Sequence, residues 1–285
     1  MKKIISSFTY FSLSLFFLHA FDWPLSNIQE ASVSSYFGQN KGGLISTSMT
    51  FSDPDEVNNV ENGHLLLIMH SNEDEGDFFP SALGSSVIIA HNDNLISVYA
   101  NLDDESICVE DLSVPKDQLI ATTGNTGWQE NGNSLEFQVL DIKKSSAINP
   151  KVLMSRIENE PELSISRIVL ENKEHVFYNL NETRTFSSGM YRIYQKRDAV
   201  IIPYKTILSM NGVVIDQISY DTINQENNRI YISGKKKYTS SDVYPTDELL
   251  LLGEAMISKG KATFGIAVSD FLNNTKQLNY TISAY

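Results

Sequence analysis

The sequence predicts a mainly β protein made of two antiparallel β domains. Two short apolar runs, residues 86–90 and 95–99, flank a four-residue turn rich in Asn and Asp, which is typical of a β-hairpin. Residues 135–139 alternate apolar and polar side chains, so one face of that strand is expected to pack on a core. Further along the chain, Asn211-Gly212 separates two strand-like runs and is a strong hairpin signal.

The composition is that of a folded, acidic protein. Of the 285 residues, 41% are hydrophobic and 20% are charged, which leaves enough apolar surface to build a core. The net charge of -13 argues against nucleic-acid binding and against attachment to anionic lipids, because both need a basic surface. An acidic surface of this kind mainly provides solubility.

The first twenty residues have the layout of a secretory signal peptide. Lys2 and Lys3 form a basic start, residues 8–18 are mostly apolar, and Ala20 ends a small-residue cleavage site. The apolar stretch is too short to span a bilayer comfortably, although an uncleaved anchor stays open as an alternative. We therefore predict a secreted or periplasmic protein without a membrane span after cleavage of residues 1–20.

A polar segment near the middle of the chain predicts a domain boundary. Residues 155–164 are predicted as a linker, because they are polar and contain Glu160-Pro161-Glu162. On the amino-terminal side, residues 21–35 are predicted as a connector and residues 36–154 as the first β domain. Residues 165–285 hold short strand-like segments separated by turns, which predicts a β-sandwich of immunoglobulin type.

Five short motifs follow one another along the first domain. They are Thr-Phe-Ser-Asp-Pro at 50–54, Tyr-Ala-Asn-Leu at 99–102, Gly-Asn-Thr-Gly at 124–127, Ser-Leu-Glu-Phe at 134–137 and Asn-Pro at 149–150. In order and spacing they resemble the motifs of the lysostaphin/LytM-type zinc metalloendopeptidases of cell walls, which have the duplicated hybrid motif fold. The resemblance covers residues 36–153 and implies a LytM-type, peptidase-like antiparallel β-sheet.

The resemblance also implies a zinc site whose ligands this chain lacks. In the family, two histidines and an aspartate hold a zinc ion that activates water, and two further histidines assist the hydrolysis. The ligand positions correspond to Ser46, Thr50 and Glu136, and the two catalytic histidine positions correspond to Asn101 and Ser134. Hydroxyl groups are poor zinc ligands, and neither Asn nor Ser titrates near pH 7. We therefore expect no metal, no other cofactor and no catalytic residue, and a binding groove formed by these five residues.

These expectations predict a non-catalytic cell-envelope protein, a pseudoenzyme that binds peptidoglycan or regulates a cell-wall hydrolase. One alternative is an active cell-wall metalloendopeptidase with displaced zinc ligands, in which His64, His70 or His91 turns toward Glu136. Another alternative is a structural envelope protein in which both domains are spacers. The acidic run at 73–77 lacks the spacing of a calcium loop, so we expect a solvated loop there.

Overall fold

The structure is a computed structural model that describes residues 21–26, 28–52, 55–71, 81–128, 132–157, 162–197 and 202–285. The predicted signal peptide at 1–20 and the acidic run at 73–77 lie outside the described residues. The described chain is mainly β, with many antiparallel sheets, as predicted. None of its described helices is both long enough and apolar enough to cross a membrane.

Short strands make up most of the first half of the chain. Those described are β1 (Val33–Ser35), β2 (Asn40–Lys41), β3 (Leu44–Ile45), β4 (Met49–Phe51), β5 (Glu56–Asn58), β6 (Gly63–Met69), β7 (Ser85–Ala90), β8 (Leu95–Leu102), β9 (Ser113–Val114), β10 (Leu119–Thr122), β11 (Leu135–Asp141) and β12 (Ser146–Ile148). One-turn 3-10 helices occupy Glu30–Ser32, Asn92–Asn94 and Asp104–Ser106, and the helix α1 spans Pro150–Leu153.

The second half of the chain has longer strands. Those described are β13 (Ile168–Glu171), β14 (Phe177–Asn179), β15 (Thr185–Phe186), β16 (Gly189–Lys196), β17 (Lys205–Met210), β18 (Val213–Ser219), β19 (Thr222–Glu226), β20 (Arg229–Ser233), β21 (Lys237–Tyr238), β22 (Leu249–Ile257), β23 (Gly260–Ser269) and β24 (Thr275–Ala284). The helix α2 spans Ser240–Val243.

A large antiparallel sheet forms the frame of the first half. Its described strands follow the order β21-β20-β19-β12-β11-β8-β7-β6-β9, and β4 pairs with both β1 and β11. In the central strand β11, Leu135, Phe137 and Val139 are fully buried, whereas Glu136 and Gln138 are half-buried. Since successive side chains of a strand point to opposite faces, the apolar set packs on the core and the polar set lies on an accessible face.

The predicted hairpin between residues 86 and 99 is present as strands β7 and β8. The turn between them places Asp93 and Asn94 at φ angles of 61° and 63°. Asn and Asp tolerate this left-handed conformation better than other residues with side chains, which is the reason for the Asn/Asp-rich turn.

Residues 21–35, predicted as a connector, pack onto the core of the first half. Phe21 and Leu25 are buried, and the Phe21 ring lies 5.0 Å from the His91 ring, centroid to centroid. The Asp22 N–H donates a hydrogen bond to the Val60 carbonyl at 3.0 Å. The apolar side chains of this segment therefore make it part of the folded unit.

Two sheets of the second half pack face to face as a β-sandwich. One has the strand order β14-β13-β16-β22 and the other β15-β24-β23-β17-β18. Their shared core contains Leu170 and Ile193 from the first sheet and Leu208, Phe264 and Ile266 from the second. Pairing is antiparallel throughout except between β15 and β24, which are parallel. The immunoglobulin character of this sandwich stays a prediction.

Strands from both halves of the chain meet in one sheet. Strand β12 pairs with β19, with Ile148 opposite Thr222, and β20 and β21 continue the same sheet outward. Side chains of the second half, including Tyr194, Ile218 and Leu250, are buried in the core of the first. An unpaired β12 would expose main-chain donors and acceptors, so the second half completes the sheet of the first.

Candidate functional site

Two of the predicted ligand positions are direct neighbours in the sheet. Thr50 on β4 lies opposite Glu136 on β11, and Ala100 on β8 lies on the other side of Glu136. Directly opposed residues of antiparallel strands have Cα atoms about 5 Å apart. The structure therefore brings Thr50 and Glu136 together on the accessible face of β11.

The Glu136 carboxylate is held by protein groups. The Ser48 hydroxyl donates a hydrogen bond to Glu136 Oε1 at 2.6 Å, and Lys41 Nζ lies 3.4 Å from Oε2. The Glu136 side chain is 18% exposed and the Lys41 side chain is 50% exposed. The ammonium group thus neutralises the carboxylate at a position that the resemblance predicts to correspond to a metal ligand.

The other two ligand positions offer only hydroxyl groups. Ser46 and Thr50 are both buried, and the Ser46 hydroxyl donates to the carbonyl of Ser48 at 3.1 Å. Zinc sites use thiolate, imidazole or carboxylate ligands, and the single carboxylate at this site already faces an ammonium group. The residues present therefore do not fit a zinc ion, and no catalytic step through a metal can be built on them.

The two positions predicted to correspond to catalytic histidines, Asn101 and Ser134, form a buried hydrogen-bond network. Asn101 Nδ2 donates to the Ser134 hydroxyl at 2.8 Å and to the Gly124 carbonyl at 2.7 Å, and its Oδ1 accepts from the Gly127 N–H at 2.8 Å. Asn101 and Ser134 are fully buried, and Asn101 has a φ of 64°. Both side chains therefore tie the 124–127 turn to the sheet.

Gly124 in this turn cannot carry a side chain. A Cβ atom added there would lie 2.3 Å from the carbonyl carbon of Leu102 and 2.3 Å from the nitrogen of Asp103. The Gly124 N–H donates to the Asn101 carbonyl at 2.8 Å. The first glycine of the Gly-Asn-Thr-Gly motif thus allows the turn to lie directly against residues 102–103, beside Asn101.

The histidines of the displaced-ligand alternative do not reach Glu136. Strand β6, which contains His64 and precedes His70, lies three strands from β11. Adjacent strands are about 4.8 Å apart, so these two side chains are separated from Glu136 by roughly 14 Å across the sheet. His70 Nδ1 instead lies 3.0 Å from a carboxylate oxygen of Asp104.

His91 has a structural environment. Its Nδ1 lies 3.1 Å from the Asn62 carbonyl, its Nε2 lies 2.7 Å from the Ser97 hydroxyl, and its ring contacts Phe21. Burial lowers the pKa of His91, against the opposing effects of the Asn62 carbonyl and Glu61. Among the described residues, no three His, Cys, Asp or Glu side chains are close enough to hold a metal ion.

A cleft of about 450 Å³ continues the same face of β11. It lies where β4 and β12 diverge, and Gln138, Leu140, Ile223 and Ile230 line it. Gln138 Nε2 donates to the Thr47 hydroxyl at 2.6 Å at one edge. The accessible face of β11 therefore continues from Glu136 into a partly apolar cleft whose far wall comes from β19 and β20. Of the five residues predicted to form a binding groove, Ser46, Thr50, Asn101 and Ser134 are buried, and Glu136 is partly exposed. We name Glu136 and this cleft the candidate groove.

The sequence did not predict that Lys41 and Ser48 contact Glu136. No motif marks them, because their partner Glu136 is 88 or more residues away in the chain. One signal was present: Lys41 is the only Lys or Arg between Lys3 and Lys116. A half-buried carboxylate is stabilised by a nearby cation, and this stretch of the sequence offers a single candidate.

The comparisons with known proteins agree with the sheet and its motifs. The model of peptidase family M23 matches residues 55–150, which include Asn101, Ser134 and Glu136, while Ser46 and Thr50 precede the matched segment. A second family model matches residues 162–285. No curated protein matches the chain.

Several solved structures are similar to part of the chain. The catalytic domain of a mutant of the prophage-encoded M23 protein EnpA from Enterococcus faecalis is 20% identical, with 41% of this chain and 87% of that chain covered and a TM-score of 0.35. The catalytic domain of the antimicrobial peptidase lysostaphin from Staphylococcus simulans is 19% identical, with coverages of 38% and 78% and a TM-score of 0.32. The SpoIIQ-SpoIIIAH pore forming complex contains a chain that is 22% identical, with coverages of 46% and 76% and a TM-score of 0.32. The family match therefore confirms the predicted resemblance to the LytM-type peptidases over residues 55–150.

Proposed function

We propose that this chain is a non-catalytic protein of the cell envelope, secreted or periplasmic, whose M23 domain binds peptidoglycan or regulates a cell-wall hydrolase. One observation carries the proposal. The carboxylate of Glu136, which the resemblance assigns to a ligand position, is neutralised by Lys41 and accepts a hydrogen bond from Ser48. A bound dication would have to displace the ammonium group and recruit further ligands from hydroxyl groups.

The chemistry of the remaining positions supports the same proposal. Hydrolysis of a peptide bond needs an activated water and a group that accepts its proton. Asn101 and Ser134 are fully buried and engaged with the 124–127 turn, and neither side chain titrates near pH 7. These two residues therefore stabilise the domain, and recognition falls to the accessible face of β11.

The groove offers a peptide several means of recognition. Half of the Lys41 side chain is exposed, so its ammonium group can also contact a carboxylate or a carbonyl of a ligand. Next along β11, Gln138 and the partly apolar cleft provide an amide and aliphatic surface. This combination suits an extended peptide with small apolar side chains and a free acidic group, as in peptidoglycan.

The proposal is tested by sedimentation with purified peptidoglycan sacculi in the presence of added zinc. We expect the protein to pellet with sacculi and to release no soluble muropeptides. The variant Lys41→Met should lower retention about tenfold, the loss expected when a hydrogen bond to a charged group is removed. Lys276→Met is the matched control, since Lys276 also pairs with a carboxylate, that of Glu162, far from the groove.

The other possible outcomes of this experiment distinguish the alternative functions. If sacculi do not retain the protein but a purified cell-wall hydrolase becomes more active in its presence, the regulatory form of the proposal stands. A lack of both effects would favour the spacer alternative. Zinc-dependent release of muropeptides would overturn the proposal and favour the displaced-ligand enzyme.

A further inference from the structure

One small hairpin connects the candidate groove to the second half of the chain. We name residues 38–46 the groove hairpin; it contains strands β2 and β3, which pair with each other around Gly42 and Gly43. These two glycines have φ angles of 61° and 84°. On one side, the hairpin delivers Lys41 to the carboxylate of Glu136 at 3.4 Å.

On the other side, the groove hairpin is held by helix α2 and the residue that follows it. The Tyr244 hydroxyl donates a hydrogen bond to the Gly38 carbonyl, and the Ser240 hydroxyl accepts one from the Ile45 N–H at 3.2 Å. Tyr244 and Ile45 are both buried at this contact. Burial raises the pKa of Tyr244, so the phenol keeps the proton that it donates.

A third contact reaches the tip of the hairpin. Asn40 Nδ2 donates to Asp247 Oδ1 at 3.1 Å, directly beside Lys41 in the chain. Gly38 itself is packed closely, because a Cβ atom added there would lie 3.0 Å from the ring of Tyr220. Its φ angle of 86° is also one that residues with side chains rarely adopt. The base and the tip of the hairpin therefore both lie against the second half.

Helix α2 is in turn fixed to the β-sandwich of the second half. Asp242 in this helix pairs with Arg192 Nη2 at 2.7 Å, and Arg192 Nε donates to Glu254 Oε1 at 3.1 Å. Arg192 lies on β16 and Glu254 on β22, opposite each other in the sheet. A continuous series of polar contacts thus runs from the sandwich through α2 and the hairpin to Glu136.

The groove hairpin cannot fix its own position. It is short: two residues of β2 pair with two of β3, the Gly38 N–H donates to the Ser46 carbonyl at 2.8 Å, and the Ser46 N–H donates to the Gln39 carbonyl at 2.7 Å. The Gly43 N–H donates to Asn40 Oδ1 at 2.8 Å. Isolated two-stranded hairpins are marginally stable at best in water. The location of Lys41 therefore depends on contacts outside the hairpin. Those nearest Lys41 come from Glu136 and from residues 240–247, and Tyr36, Ser48 and Tyr220 contact the base of the hairpin.

We infer that residues 240–247 position the groove hairpin, and through it Lys41, so that the second half of the chain builds one wall of the recognition groove. Ser240, Tyr244 and Asp247 are positioning residues in this arrangement. The identity of the ligand rests on the proposed function, whereas the positioning itself can be measured without any ligand.

Amide hydrogen exchange, followed residue by residue in the full chain, tests this inference. Tyr244→Phe removes the hydroxyl that holds Gly38, and Ser240→Ala removes the acceptor of the Ile45 N–H. Loss of one such hydrogen bond should speed exchange at Gly38, Ile45 and Ser46 about fivefold to tenfold. Tyr191→Phe is the matched control, because its hydroxyl donates to the Ser187 carbonyl within the sandwich.

A double-mutant cycle separates positioning from general destabilisation. If Tyr244 and Glu136 hold the same hairpin, the effects of Tyr244→Phe and Glu136→Gln on exchange at Ile45 should be non-additive, with a coupling of at least about threefold. Retention on sacculi should fall in Tyr244→Phe, but not in Tyr191→Phe.

The outcomes distinguish this inference from the proposed function. Unchanged exchange at Gly38, Ile45 and Ser46 in both variants would overturn the inference, as would purely additive effects in the cycle. If exchange rises as expected while neither wild type nor variants bind sacculi, the positioning of the hairpin is supported and the proposed binding of peptidoglycan is contradicted.

Discussion

Asn101, predicted to correspond to a catalytic histidine, uses both atoms of its side-chain amide in hydrogen bonds. It donates to Ser134 and Gly124, accepts from Gly127, and adopts a left-handed conformation that Asn tolerates better than most residues. Asn101→Ala should lower the free energy of unfolding by about 2–4 kcal/mol, because several buried groups lose their partners. Urea denaturation measures this, with the exposed Asn125→Ala as control; a loss under about 1 kcal/mol in Asn101→Ala would contradict the structural role.

His91 makes the stability of the domain depend on pH. Burial lowers its pKa in the folded protein below the ordinary value near 6.5. The unfolded chain therefore binds the proton more readily, so the stabilising contribution of neutral His91 is present above about pH 6.5. It is lost as the pH falls below that value and through the lowered pKa of the folded protein. The difference in unfolding free energy between wild type and His91→Gln should shrink from about pH 8 to about pH 5. A difference that is constant, or that grows at low pH, would be inconsistent with a buried neutral ring.

Residues of the candidate site were predictable to different degrees. The positions of Thr50 and Glu136 follow from motifs within the chain, and the pairing of β4 with β11 brings them together. The partner Lys41 was not predictable from motifs, because an ion pair across 95 residues depends on the fold. The one indication in the sequence is that Lys41 is the only Lys or Arg between Lys3 and Lys116.

Among the elements, strands β18 and β22 are joined by one buried carboxylate. Asp216 on β18 accepts from the Glu254 N–H at 2.7 Å, from the Lys235 N–H at 2.7 Å and from the Tyr238 hydroxyl at 2.5 Å. This close approach needs Gly253, which has a φ of 143° and whose added Cβ would lie 2.8 Å from Asp216 Oδ2. Three sheets therefore meet at a single side chain.

Gly253→Ala should destabilise the protein by roughly 2–4 kcal/mol, because the methyl group meets Asp216 and the backbone angle is unfavourable for alanine. Gly189→Ala on the neighbouring strand β16 is the matched control. A Cβ there has nothing within 4 Å, so its effect should stay within about 1 kcal/mol. Thermal or urea unfolding of both variants measures the contrast, and equal losses would refute the close contact.

Element types were easier to predict than their partners. The Asn/Asp turn fixes the β7–β8 hairpin locally, and alternation identifies the buried face of β11. Residues 165–285 are predicted as one separate sandwich, yet β19–β21 within that range extend the sheet of the first half. Periodicity reports which face of a strand is buried but carries no information about the strand beside it.

On the scale of the whole molecule, the shared sheet and shared core predict that both halves unfold together. Both tryptophans, Trp23 and Trp128, lie in the first half, so their fluorescence reports on that half, whereas far-ultraviolet circular dichroism reports on all strands. The two signals should give the same urea midpoint. Midpoints that differ by more than about 0.5 M would show that the halves unfold independently.

Lys41 supplies, beside Glu136, the positive charge that a bound metal ion would otherwise supply. A zinc titration of metal-free protein tests this most directly. Calorimetry should detect no binding of one zinc per chain to wild type. A stoichiometric site that Glu136→Gln abolishes would contradict the claim.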